Sequence, residues 1–201
     1  MKKFIFISPF QPSERFTGGI YEAVDNEKLE FGVETKFPII PTINGYAEEG
    51  EEIKVITVVS EYENAKKNYV SFKEELNVLA EKKKLKVNFI EISIPFSNGI
   101  DTQLDLFSKL IDQTADEDTL FCDTTYGSKP LSQILLMSVN YGYRIHKDVI
   151  IGCTVYGERE HNGNKLKIYD ITSLIFIDEI VRTMAENKIS NPTERIKSIL
   201  K

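Results

Sequence analysis

The sequence predicts an α/β fold, a three-layer sandwich with helices on both faces of a mainly parallel six-stranded sheet. Three observations predict it. Lys54–Ser60, Thr119–Cys122 and Val149–Tyr156 are short apolar, β-branched runs with little polar alternation, as in strands buried on both faces. Segments with apolar residues at helical spacing separate these runs. Strand and helix alternate through the second half of the chain, which implies parallel pairing through right-handed crossovers.

In order, Phe4–Ile7 reads as the first strand, broken into a loop by Ser8-Pro9-Phe10-Gln11-Pro12. Lys36–Ile40 reads as a second short strand closed by Pro41, and Lys54–Ser60 as a third. The acidic run Glu48–Glu52 before it reads as a solvated loop. From Ala65 to Lys84, Tyr69, Phe72, Leu76, Leu79 and Ala80 recur at helical spacing, with lysines at the end that the macrodipole favours. Val87–Ile94 is a fourth strand and Thr102–Asp112 a helix with Leu104, Phe107, Leu110 and Ile111 on its apolar face. Thr119–Cys122 is a fifth strand ending at Asp123. A helix over Leu131–Val139 follows, opened by Pro130. Val149–Tyr156 is the sixth strand, followed by a small hairpin near 157–169 with Asn162-Gly163 as its turn. Helices at Thr172–Ala185 and Pro192–Leu200 complete a single domain spanning 1–201, the segment 172–201 included.

At 201 residues one core is the natural expectation. The first apolar run is only four residues long, too short for a signal peptide, and no stretch approaches the roughly 18 consecutive apolar residues of a membrane helix. The two cysteines, Cys122 and Cys153, lie in strand-like runs as buried thiols, which suits a reducing, cytoplasmic location. A net charge of −6 argues against a long nucleic-acid track, though a small phosphate ligand needs only a local positive pocket. His146 and His161 sit in polar, turn-like contexts. Two histidines without further donors at ligand spacing make no metal site, and Gly18-Gly19 lacks the spacing of a dinucleotide fingerprint. No cofactor is called for.

In open parallel sheets ligands bind at the carboxyl ends of strands. This singles out the loop Asp123-Thr124-Thr125-Tyr126-Gly127-Ser128-Lys129, which follows a buried strand and opens a helix. Helix-start amides, the Thr125 and Ser128 hydroxyls and the Lys129 charge form an anion seat, and Gly127 lets a ligand approach the backbone. The loop Ser8–Gly19 is the second place to look.

The Asp-x-Thr-x-Gly loop of Asp123–Gly127, Tyr156-Gly157-Glu158, Ile168–Thr172 and the lysine-rich first strand with its Ser8-Pro9 loop together resemble CRISPR-associated Rossmann-fold (CARF) domains. These are sensors of cyclic oligoadenylates built on a Rossmann-like sandwich. The family's histidine position is Tyr126 here, which questions any role that needs imidazole. The resemblance implies a homodimer binding a cyclic oligoadenylate, cyclic tetra-adenylate first, across its two-fold axis. Asp123, Thr125, Tyr126, Gly127 and Ser128 would hold the ligand together with Pro9, Phe10, Thr17 and Gly18. The segment Glu158–Lys167 would pack at the dimer edge. Stand-alone members resemble ring nucleases of type III CRISPR antiviral defence. In these a ribose 2′-hydroxyl attacks its own phosphate without metal, leaving linear products with 2′,3′-cyclic phosphate ends. Lys129 is then the candidate for charge stabilisation and Ser8 for orienting the hydroxyl or phosphate. The alternative is a sensor or sponge that binds without cleaving and acts through a separate partner. Neither reading involves long nucleic acid or a membrane.

Overall fold

Period-two alternation divides the apolar residues of the central strands between two cores. In Glu52–Ser60, Ile53, Val55 and Val59 join one cluster while Ile56 and Val58 join the other; in Thr119–Asp123, Phe121 faces the first and Leu120 and Cys122 the second. A computed structural model of the protein describes residues 2–4, 18–159 and 165–200. Among them seven strands form one sheet: β1 Lys2–Phe4, β2 Tyr21–Ala23, β3 Glu52–Ser60, β4 Lys86–Ile94, β5 Thr119–Asp123, β6 Ile150–Arg159 and β7 Leu166–Asp170. Their order is β2-β7-β6-β5-β1-β3-β4. The strands β6, β5, β1, β3 and β4 are parallel; β7 runs antiparallel to β6, and β2 pairs parallel with β7.

The helices are α1 Ile39–Tyr46, α2 Glu63–Lys83, α3 Ile100–Ile111, α4 Lys129–Ile145, α5 Ser173–Glu186 and α6 Pro192–Ile199. Helices α1 and α2 cover one face, burying Ile39, Ile40, Ile43, Phe72 and Leu76 with Phe37. On the other face α3 and α4 bury Leu106, Leu110, Ile134, Leu135 and Val139, joined by Ile175 of α5. Both cysteines are free and buried. No helix among the described residues is long and apolar enough to cross a membrane.

Four expectations need correction. The sheet has seven strands, not six, because the three-residue strand β2 and the second arm of the hairpin near 157–169 join it while Lys36–Ile40 does not. The hairpin's arms are the end of β6 and β7, paired from Val155↔Asp170 to Arg159↔Leu166 within the main sheet. The turn Asn162-Gly163 lies outside the described residues. The segment Lys36–Ile40 is not a strand: after Phe37 the chain enters α1, which accommodates Pro41 in its first turn, where a missing N–H loses no intrahelical bond. Helix α4 is longer than Leu131–Val139, running on through the less regular Asn140-Tyr141-Gly142-Tyr143. The first strand is described over Lys2–Phe4, and Ile5–Ile7 lie outside the described residues.

Strand order places the site. From β1 the sheet grows outward to β3 and β4 on one side and to β5 and β6 on the other. The crossover helices α2 and α4 therefore lie on opposite faces, and the order reverses between β1 and β5. The carboxyl ends of these two strands flank the crevice that such a reversal opens.

Candidate functional site

Strand β5 delivers Asp123 to this crevice fully buried. Its Oδ1 accepts the Thr125 amide at 2.8 Å, while Oδ2 has no hydrogen-bond partner. Burial pushes the carboxyl up to about 6 against the pull of the Thr125 hydroxyl and amide. The next residues fasten the turn to β6. Thr124 donates its amide and hydroxyl to the Val155 carbonyl at 3.0 and 3.2 Å, and the Thr125 hydroxyl oxygen accepts the Gly157 amide at 2.8 Å.

Tyr126 points into the molecule. It packs against the core under α1 and α2, its hydroxyl donates to the Lys36 carbonyl at 2.7 Å, and the Tyr21 hydroxyl lies 3.3 Å away. Burial raises the Tyr126 phenol far above its ordinary range and pushes Tyr21 up to about 12. Tyr126 thus anchors the turn from below, and with its proton committed to Lys36 it is no general base.

Above this anchor the turn opens outward. Gly127 is exposed at φ +103°, in the region that disfavours any side chain. Ser128 caps α4: its Oγ accepts the Leu131 amide at 3.4 Å and donates to Asn98 Oδ1 at 2.6 Å. Pro130 stands in the first turn as expected. No acidic residue balances the positive end of α4, and the first helical residue is the exposed Lys129. A cation at that end costs several tenths of a kcal/mol by itself. The combination is favourable once an anion sits on the amides.

The Ser128–Asn98 bond draws the start of α3 beside the start of α4, and with it residues that the sequence reading did not single out. Phe96, two residues before Asn98, is 65% exposed and lies 5.1 Å from the ring of Tyr62, with the planes tilted by 31°. Tyr62 follows β3 and Phe96 follows β4, so both rings stand at the carboxyl edge. The signal available was Pro95-Phe96-Ser97-Asn98-Gly99, an aromatic residue set in turn-forming neighbours directly after a strand.

The structure brings Asp123, Thr125, Gly127, Ser128 and Lys129 into one turn at the strand-order reversal, with Tyr126 beneath it. Gly18 lies close to Lys36, the residue that holds Tyr126. Ser8, Pro9, Phe10 and Thr17 lie outside the described residues. His146 is remote, at the far end of α4, with Nδ1 3.4 Å from Asp116; His161 lies outside the described residues.

The chain matches no protein-family model and no curated protein.

Chemically, the described edge offers backbone amides and a lysine for an anion, hydroxyls for orientation and an exposed aromatic pair for a planar base. The titratable groups of the turn itself are a buried carboxyl, the inward-facing Tyr126 phenol and a lysine.

Proposed function

We propose that this chain is a Rossmann-like sensor of the CARF kind, which binds a cyclic oligoadenylate at the carboxyl edge as a homodimer and opens the ring without metal. The observation that carries the reading is the turn Asp123–Lys129. It joins β5 to α4 at the strand-order reversal, with Gly127 in a left-handed conformation and an uncompensated helix start behind Lys129. Thr125, Gly127 and Ser128 hold phosphate and ribose, and Tyr126 supports the turn. Asp123 and Gly18 shape the crevice, and the resemblance assigns Pro9, Phe10 and Thr17, which lie outside the described residues, to ligand contact as well. Lys129 neutralises charge on the phosphate as the 2′-hydroxyl attacks in line, and Ser8 orients the reacting group. The products are linear oligoadenylates with 2′,3′-cyclic phosphate ends, and their formation switches off a type III CRISPR response in the cytoplasm.

A second reading, a sensor or sponge that binds without cleaving, draws support from Tyr126. The residue at the family's histidine position hydrogen-bonds inward to Lys36 and has no proton to exchange near neutral pH.

Incubation with cyclic tetra-adenylate and cyclic hexa-adenylate in chelator separates the two. Slow conversion to linear products supports ring opening, and tight binding without turnover supports the sensor. Failure to bind either ring overturns both. Lys129→Ala is expected to slow cleavage more than it weakens binding; equal loss of both would argue against charge stabilisation.

A further inference from the structure

Helix α5 is turned inside out. Of its 14 residues only Ile175 is buried. The arc it presents to α4 is polar: Arg144 of α4 bonds Glu179 at 2.8 Å and Asp178 at 2.7 Å, Asn140 donates to Asp178 at 3.1 Å, and Arg182 pairs with Glu179 and Glu186. The opposite arc is apolar and open. Leu174, Phe176, Ile177 and Val181 are 52%, 44%, 37% and 48% exposed, with Ile180 and Met184 half-buried among them. A surface helix normally turns its apolar stripe to its own domain, so this stripe belongs against something outside the described domain.

The spacing says what kind of partner fits. Leu174, Ile177, Val181 and Met184 fall at intervals of three, four and three, the narrow seam by which one helix packs along another. The exposed Met137 of α4 extends it, since Met137, Gln133 and Leu136 line a groove of about 320 Å³ with Leu174. A membrane surface fits poorly. The polar arc carries Asp178, Glu179 and Glu186 against Arg182, whereas helices that lie on anionic lipid carry lysine and arginine there. The seam plus Met137 and Ile180 leaves on the order of 500 Å² open. Two such patches face to face reach the ~1,000 Å² that a specific interface requires.

We infer that α5 is a homodimer seam, packing along α5 of a second copy about a two-fold axis parallel to the helices. Helix α5 runs in the same direction as α4, away from the carboxyl edge: Leu174 adjoins Met137, and Asp178 adjoins Asn140 and Arg144. A parallel pair therefore points both carboxyl edges to the same end of the dimer, where one ligand can touch both turns. The inference deepens the functional reading, which needs a dimer but names no such face, and the two fail separately.

Sedimentation of the wild-type chain at about 0.1 mM is expected to give twice the mass of the 23.0 kDa chain. Ile177→Asp or Val181→Asp should weaken self-association at least about a hundred-fold, by burying an unpaired charge at the axis. Val78→Asp, at a still more open site on α2, should remain dimeric. Because an aspartate variant could misfold, Val181→Cys provides an independent readout. Cys122 and Cys153 are buried, so mild oxidation should link two copies through residue 181, while Val78→Cys should stay unlinked. A monomeric wild type, a dimer indifferent to both aspartates, or a dimer that Val181→Cys fails to link would each overturn the seam. A linked dimer that binds neither ring leaves the seam standing and removes the ligand reading.

Discussion

Helices α2 and α5 both lie outside the sheet and both carry an apolar stripe, yet they face opposite ways. Helix α2 buries Ala65, Tyr69, Phe72, Leu76, Leu79 and Ala80 and leaves lysines and glutamates in water. Helix α5 buries Ile175 and turns Leu174, Ile177 and Val181 outward. The contrast teaches that an apolar stripe reveals that a helix is packed, but not whether it packs on its own domain. Charge follows the stripe. Glu75 of α2 leans inward, where burial raises its carboxyl despite hydrogen bonds from Thr35 and Lys36. Glu179 of α5 is held below its ordinary range by Arg182 and Arg144.

The largest effect expected from this contrast comes from two phenylalanines. Phe72→Ala should destabilise the fold by about 3–5 kcal/mol in urea unfolding, since Phe72 is almost fully buried with its ring edge-on to Phe37 at 5.3 Å. Phe176→Ala should cost less than about 1 kcal/mol with the dimer dissociated. Comparable losses would erase the distinction between the two helices.

Next comes Asp123, whose buried carboxyl titrates near 6. Because its folded value lies above the unfolded one, the stability it contributes is complete below about pH 4 and lost as pH rises through about 6. Asp123→Asn should keep the bond from the Thr125 amide and abolish that loss. Its stability relative to wild type should improve by on the order of 2 kcal/mol between pH 4 and pH 7.5. A difference that does not change with pH would show that Oδ2 is solvated.

Arg144→Ala should cost about 1–2 kcal/mol, because the side chain donates charged hydrogen bonds to Asp178 and Glu179 from a partly buried position. Amide exchange should accelerate in α5 and stay unchanged in α2; uniform acceleration would mean that the polar arc is not what docks α5.

The smallest effects are a pair of opposite sign. Glu75→Gln should help the fold as pH rises above the glutamate's raised value and be neutral in acid. Glu179→Gln should weaken the fold at neutral pH, with the difference vanishing as pH falls through the lowered value. Unfolding at pH 3.5 and 7.5 checks both, and shifts of the same sign would contradict the inward and outward assignments.

Local pattern alone determined the strands that become β3, β4, β5 and β6, helices α2, α3, α5 and α6, the opening of α4 by Pro130, and the turn at Asp123–Lys129. Each rests on spacing, β-branching or a proline start that acts within a few residues. Tertiary structure decided the rest, because it depends on what stands opposite. β2 is three residues long and exists only because β7 offers an edge. The stretch around Phe37–Ile40 is apolar enough for a strand, but the core beneath α2 takes it as a helix. Tyr126 turns inward because the Lys36 carbonyl and Tyr21 meet it there, and Asn98 reaches Ser128 only because α3 and α4 pack side by side. The direction of the α5 stripe was equally invisible along the chain. Periodicity fixes which residues share a face, whereas the neighbour that face meets is set by contacts between residues far apart in sequence.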